Sequence, residues 1–377
     1  MLNRVMMIAG EASGDLHGAG VVRELKAHRP SLEIYGIGGD NMRDAGMELV
    51  EHISAVAFMG FVEVVRHLPV IAAVEKKLAR SLVERRPDIV VLIDYPGFNL
   101  RFARKAKRLG IRVLYYISPQ VWAWNKRRVK KMRGIVDQMK VVFPFEVEIY
   151  KREGIDVEFV GHPLVETIVS ASTRQEFFAL TKFEEGKKLL ALLPGSRKQE
   201  IERILPTMIS AAMRLQQLHP LQIAIGVAPS LNGDYLRRFI PSGTNIILVE
   251  KRTHDLIRHA DAAIVTSGTA TLETGWFCTP MVVVYRTSPL TYFIGRMLVD
   301  VPHIGLVNIV AGKGVVPEFI QHDMNSKNLV RAVGKILEDH QYAADLRSQL
   351  SVIKTKLGGP GASARVAKSI RALAEAA

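Results

Sequence analysis

Short apolar runs alternate with amphipathic stretches along almost the whole chain. In the first half the runs are RVMMIAG (4–10), LEIYGIGG (32–39), DIVVLIDYP (88–96), RVLYYISP (112–119), QMKVVFP (138–144) and VEFVGHP (157–163), with helix-like segments such as 17–28 and 71–85 between them. The runs are continuous in Val, Ile and Leu rather than alternating, which predicts strands buried on both faces and hence parallel sheet. Strand and helix in turn predict a doubly wound α/β layer. The pattern restarts with KLLALLPGS (188–196), LQIAIGVAP (221–229), NIILVE (245–250), AAIVTSG (262–268) and MVVVYR (281–286). Between the halves, TIVSASTRQEFFALTKFEEGKK (167–188) is polar and short of strand signals, which puts a boundary near 166. The expected fold is therefore α/β, two Rossmann-like doubly wound domains (1–166 and 167–349) facing a cleft. Residues 326–377 are helical and rich in Ala, Lys and Arg, broken by GGPGAS (358–363), and a C-terminal helix at about 350–377 can pack back on the first domain. Ligands of such sheets settle at the carboxyl ends of the strands.

Composition narrows the classes. A chain of 377 residues exceeds one hydrophobic core, and 48% hydrophobic with 23% charged residues is an ordinary globular balance. A single cysteine, Cys278, excludes an intramolecular disulfide framework and fits a reducing compartment. The start, MLNRVMMIAGEASGD, has too short an apolar run for a secretory signal and turns acidic at once, so it reads as a first strand. A bilayer span takes about 20 apolar residues. The nearest stretch, 55–74, is interrupted by Glu63, Arg66, His67 and Pro69, so a soluble or peripheral protein is expected. A net charge of +14 asks for an acidic partner: nucleic acid, anionic lipid or a phosphorylated substrate.

Two turns in the second half are ready for an anion. In VTSGTATLETGW (265–276) a strand stops at Val265 and a small, hydroxyl-lined turn of Thr266, Ser267, Gly268 and Thr269 opens a helix. Its backbone N–H groups and the helix dipole suit a phosphate, Thr269 and Thr271 can add hydroxyls, and Glu273 could accept a ribose's hydroxyls. Taken alone, the turn also reads as an ordinary N-cap followed by a dipole-favoured glutamate. LLALLPGSRKQEIERILP (189–206) ends a second buried strand in Pro194-Gly195-Ser196 and then presents Arg197, suited to a forked contact with a diphosphate. Neither a Walker loop nor a complete G-x-G-x-x-G is present, since Asn41 interrupts GIGGDN. Two such turns in one domain favour a nucleoside diphosphate over scaffolding. GLVNIVAGKGVVPEFIQHD (305–323), with Asn308, Glu318 and Gln321, reads alone as a loop before the last helix.

The first half has its own chemistry. GEASGDLHGA (10–19) opens a helix with Gly10, Ser13 and Gly14 permitting close approach and with Glu11, Asp15 and His17 at the sheet's carboxyl end. A capped helix start with solvated charges is the alternative. LIDYPGFNLR (92–101) puts Asp94 at the end of a buried strand, where it is either a proton acceptor or a carboxylate capping a turn. ISPQVWAWNKRRVKKMR (117–133) joins Trp122 to a dense basic run, which fits nucleic acid, a headgroup-facing surface or a solvated helix face. The string FMGFVEVVRHLPVI (58–71), with Phe58, Met59, Phe61 and Val62, is core or an acyl-chain contact. No histidine, cysteine or carboxylate spacing suggests a metal, and no Gly-x-Ser-x-Gly elbow appears.

Together GEASGDLHGA, IDYPGFN, SPQVWAWNKRR, FVGHPL, LLPGSRKQEI, TSGTATLE and NIVAGKGVVPEFIQ resemble the lipid-A-disaccharide synthase family, in family order from residue 10 to 321. One departure is IDYPGFN, where the family often has another residue pair between Asp94 and Phe98. The resemblance implies a GT-B glycosyltransferase with the nucleotide in the C-terminal domain. It implies transfer from UDP-2,3-diacylglucosamine to 2,3-diacylglucosamine 1-phosphate, with no cofactor or metal, on an anionic membrane surface and without nucleic acid. Asp94 would be the base. Ser196, Arg197, Ser267, Gly268, Thr269, Thr271, Glu273, Asn308, Glu318 and Gln321 would serve the donor. Ser13, Gly14, His17, Phe58, Met59, Phe61, Val62 and Trp122 would face the acceptor, with basic residues around 101–131 meeting its phosphate or the membrane. The setting is then cytoplasmic and peripheral to the inner membrane. The rivals are another GT-B enzyme using a UDP-aminosugar and, in a different class, a basic nucleic-acid-binding protein. No sequence feature marks an oligomeric state.

Overall fold

A computed structural model describes residues 2–56, 67–122, 126–298 and 301–375. The chain divides into two compact units, Met1–Glu166 together with Leu357–Ala377, and Thr167–Lys356. In the first, strands β1 (Arg4–Ala9), β2 (Glu33–Gly38), β3 (Glu48–His52), β4 (Ile89–Ile93), β5 (Arg112–Tyr116), β6 (Gln138–Val141) and β7 (Val157–Phe159) form one sheet in the order β3-β2-β1-β4-β5-β6-β7. Each pairing is parallel. Val5–Ala9 and Ile89–Ile93 are wholly buried, as strands covered on both faces must be, which is why their sequence is continuously apolar. The order runs outward from β1 on one side and from β4 on the other, so the connections reverse direction between these two strands. At such a reversal the loops at the carboxyl ends part and leave a crevice.

The last helix, Ala362–Glu375, packs against the first, Ala12–His28. Its start is fastened by Glu166, which accepts from the Ser363 N–H (2.9 Å) and hydroxyl (2.5 Å), while His162 N–H donates to the Leu357 carbonyl (2.8 Å).

The second unit repeats the design. Strands β8 (Lys188–Leu193), β9 (Leu221–Gly226), β10 (Ile246–Val249), β11 (Ala262–Thr266), β12 (Met281–Tyr285) and β13 (Glu318–Ile320) run in the order β10-β9-β8-β11-β12-β13, all parallel. Here the reversal falls between β8 and β11. Two strands stand outside the elements expected from the apolar runs: β3 and β13 are short, partly exposed edge strands whose outer faces need no apolar residues. The polar stretch 167–188 holds a helix, Arg174–Thr181, started by a reciprocal capping box between Thr173 and Glu176. Among the described residues no helix is long and apolar enough to cross a membrane.

Candidate active site

The loops after β1 and β4 open side by side at the reversal of the first sheet. They touch at Gly10, where a Cβ would lie 2.3 Å from ring atoms of Tyr95, so a residue without a side chain is required. Asp94 and Tyr95 both adopt left-handed backbone, with φ of 46° and 47°. The turn is pinned from several sides. Asp94 N–H donates to the Tyr116 carbonyl (3.1 Å), and the Asp94 carbonyl accepts from Asn99 Nδ2 (2.7 Å) and the Tyr115 hydroxyl (2.5 Å). Burial first, and the neighbouring Glu11 carboxylate second, push the Asp94 carboxyl up to about 7, against the pull of the Tyr95 backbone N–H. A carboxylate titrating there is basic enough to take a proton near neutral pH.

The rest of the first-half set divides. Ser13 is exposed, while Gly14 is buried, its Cβ position 3.4 Å from Ala9 and 3.6 Å from Ile93. Asp15 is not offered to a ligand. It is buried and accepts from the N–H groups of Gly39 (2.7 Å), Asn41 (3.1 Å) and Met42 (3.0 Å), fixing the helix Asp40–Asp44. His17 meets His162 edge to face at 6.2 Å, and its buried Nδ1 has no hydrogen-bond partner among the described residues. Burial outweighs the raising influence of Glu166 and lowers His17 to about 4, so the ring is neutral. Trp122 is almost buried, its indole N–H on Glu146 (3.3 Å) and its ring edge against Phe145. Glu146 went unnoticed in the sequence, where PFEVEIY gives no signal. It is 1% exposed and also accepts from the Ser118 hydroxyl (2.5 Å) and the Phe143 N–H (3.0 Å), and burial lifts it to about 7 despite these donors. It ties the start of the Trp/Lys/Arg segment to the end of β6. Phe58, Met59, Phe61 and Val62 lie outside the described residues.

In the second unit the two anion-ready turns sit on adjacent strands at the reversal, one after β8 and one after β11. Ser196 and Arg197 are exposed at the start of the helix Lys198–Leu218, and Arg197 bonds Glu200 at 2.9 Å. Gly268 precedes the helix Thr269–Trp276 with φ 152° and ψ −162°, a conformation that only glycine adopts freely, and nothing lies within 4 Å of its Cβ position. Thr269 is exposed beside it. Ser267 donates to the Ile304 carbonyl (2.8 Å).

Three donor-side residues spend their side chains on the loops around them. Thr271 is fully buried, donates to the Gly268 carbonyl (2.8 Å) and accepts from Val307 N–H (3.3 Å), so it shapes the turn. Asn308 is fully buried too. Its Nδ2 donates to the Val316 carbonyl and Glu318 (2.8 Å each), and its Oδ1 accepts from Val315 (2.8 Å) and Val316 (3.0 Å). Glu318 accepts from the N–H groups of Ile304 (2.9 Å) and Gly305 (3.0 Å), so this pair ties the loop around the helix Leu306–Ala311. Gln321, with φ 53°, accepts from Thr287 N–H at 3.1 Å.

Glu273 is different. Among the described residues its carboxylate accepts no hydrogen bond and has His254 Nε2 at 3.8 Å. Burial pushes it up to about 7. His254, which sequence reasoning passed over, is itself lowered by burial. This partly exposed carboxylate, one turn into a helix that starts at an open glycine turn, has the chemistry to accept from paired hydroxyls. No group of three His, Cys, Asp or Glu side chains is placed to hold a metal among the described residues.

The lipid-A-disaccharide synthetase family matches residues 5–364. The lipid-A-disaccharide synthase of Geobacter sulfurreducens is 45% identical over 367 residues, covering 97% of this chain and 96% of that protein. The enzyme of the same name from Myxococcus xanthus is 40% identical, covering 97% and 96%. Among solved structures, a putative UDP-N-acetylglucosamine 2-epimerase from Listeria monocytogenes superposes with a TM-score of 0.67 at 13% identity, covering 98% and 96%. The calicheamicin glycosyltransferase CalG4 gives 0.64 at 15%, covering 99% and 98%. At such identities the structures attest the GT-B fold, and the sequence relatives attest the family. The chain belongs to the lipid-A-disaccharide synthase family of glycosyltransferases.

Proposed function

We propose that this chain joins UDP-2,3-diacylglucosamine to 2,3-diacylglucosamine 1-phosphate in a β-1,6 linkage, with Asp94 as the base and the turns after β8 and β11 as the UDP site. The observation that carries the assignment is Asp94 itself: a half-buried carboxylate, lifted to about 7, on a left-handed turn at the reversal of the first sheet. In one in-line displacement the acceptor's 6-oxygen forms a bond to the donor's anomeric carbon, whose bond to the UDP oxygen breaks with the electron pair leaving on UDP. The proton of the 6-hydroxyl passes to Asp94. A single displacement inverts the anomeric centre.

The charge that grows on UDP needs stabilising donors already in place. Arg197, the N–H groups of the two turns, and the hydroxyls of Ser196 and Thr269 supply them. Glu273 accepts from the ribose hydroxyls. Lys130, Lys131 and Arg133 are exposed beyond the Trp122 loop, as are Arg101 and Arg104 on the helix Pro96–Arg108. They supply cations for the acceptor phosphate and for an anionic inner-membrane surface on the cytoplasmic side. The test is incubation of purified protein with both substrates in detergent. Disaccharide 1-phosphate and UDP appearing in equal amounts, with a β anomeric signal, support the reading. UDP-sugar epimerised or hydrolysed without coupling would overturn it.

A further inference from the structure

We propose that Tyr95 is a positioning residue that holds the base in place by clamping the loop after β4 onto the loop after β1. The inference rests on the reading of Asp94 as the base. Two successive left-handed residues that are not glycine each cost about 1–2 kcal/mol, and such strain persists only where the surroundings enforce it. Asn99 and Tyr115 hold the Asp94 carbonyl from the side of β4 and β5. The Tyr95 side chain reaches the other way. Its ring stands directly over Gly10 and stacks at 5.8 Å on Phe98, and its hydroxyl donates to the Val56 carbonyl at 2.8 Å.

One side chain therefore joins three segments: the β1 loop, the β4 loop and the end of the turn Ile53–Ala55. The clamp keeps Glu11 beside Asp94 and limits the water at its half-buried carboxylate. The charged and titratable groups facing this turn are Glu11 from the β1 loop, Tyr115 from β5, and Arg101, which acts on Tyr95 from the helix that follows. Without the ring, the turn is free to relax toward ordinary backbone. Asp94 then moves into water and away from Glu11, and both changes make it a weaker base in a displaced position.

The experiment compares Tyr95→Ala, Tyr95→Phe, Gly10→Ala and Asp94→Asn with the wild type in steady-state kinetics across pH, with a thermal melt for each. Tyr95→Ala is expected to lose kcat by about a hundredfold, as an ångström-scale misplacement does. Its donor KM stays within about twofold, and the acid limb of its rate profile moves to lower pH. Tyr95→Phe keeps the ring and stays within about threefold of wild-type kcat. Gly10→Ala, which displaces the same ring from the opposite side, follows Tyr95→Ala in both kcat and pH limb. A folded Tyr95→Ala enzyme with wild-type kcat and an unmoved acid limb overturns the clamp while loss of activity in Asp94→Asn leaves the base standing. Full activity in Asp94→Asn overturns the base and the clamp with it. Should Tyr95→Ala not fold, the other pair decides: Tyr95→Phe near wild type with Gly10→Ala impaired supports the clamp, and wild-type behaviour in both removes it.

Discussion

Replacing Glu273 by Gln should make the protein more stable at alkaline pH while weakening its hold on UDP. The carboxyl titrates near 4.5 in an unfolded chain and at about 7 in the fold, because burial penalises its charged form. A group raised in this way adds stability below 4.5, and that stability is lost as pH rises through 7. At 1.36 kcal/mol per pH unit the full loss is about 3 kcal/mol. The side chain is 22% exposed, and water at that edge brings the expected figure down to roughly 1–2 kcal/mol. His254 at 3.8 Å does little to offset it, since burial favours its neutral form. The assay is urea denaturation of wild type and Glu273→Gln at pH 5 and pH 8, following the transition that UDP shifts. At pH 5 the two should nearly coincide. At pH 8 the glutamine variant should be the more stable, and the wild type should recover most of the gap when UDP donates its ribose hydroxyls to the carboxylate. Wild-type UDP affinity should also rise between pH 5 and 8, with a flatter response in the variant. Equal stabilities at pH 8, or a variant that binds UDP as tightly as wild type, would refute the argument that this carboxylate is kept at a cost for the ligand.

Other expectations follow from the same geometry. Gly268→Ala should destabilise the second unit by about 1–3 kcal/mol through backbone strain alone, because its added methyl meets no atom within 4 Å. A melting temperature unchanged from wild type would contradict this. Arg197→Ala should weaken UDP binding about tenfold or more, and Arg197→Lys should recover only part of it because the forked contact is lost. Calorimetric titration measures both, and full recovery by lysine would argue for a simple point charge. Glu146→Ala strands the donors of Ser118, Trp122 and Phe143 in a buried site, so a loss of about 2–4 kcal/mol is expected. A red shift of Trp122 emission should accompany it, and an unshifted spectrum would show that the loop stays put without its carboxylate.

Much of this fold was legible because parallel strands buried on both faces write themselves as continuous apolar runs. β1, β4, β8 and β11 are all of this kind, and the motifs that matter hang directly from their carboxyl ends. The edge strands β3 and β13 escaped because half of each faces outward and polar residues serve there. Side-chain direction was harder to foresee. Thr271, Asn308 and Glu318 have the chemistry of ligand-binding residues, yet a loop that leaves the sheet must satisfy its own backbone groups, and these three do so. The left-handed turn at Asp94 and Tyr95 was equally hidden, since neither residue is the glycine that usually announces such backbone. Glu146 had no local signal at all, because its donors come from segments 24 or more residues away along with one close by.

Asp94 as the base is the central claim for this enzyme's chemistry. The most direct measurement is turnover of Asp94→Asn beside wild type across pH, with UDP binding followed in the same preparations. The account predicts a wild-type rate that climbs through an acid limb near pH 7, and an asparagine variant that binds UDP normally but forms almost no disaccharide at any pH. Disaccharide formed by Asp94→Asn at a wild-type rate, or a wild-type acid limb that survives the substitution, would contradict it.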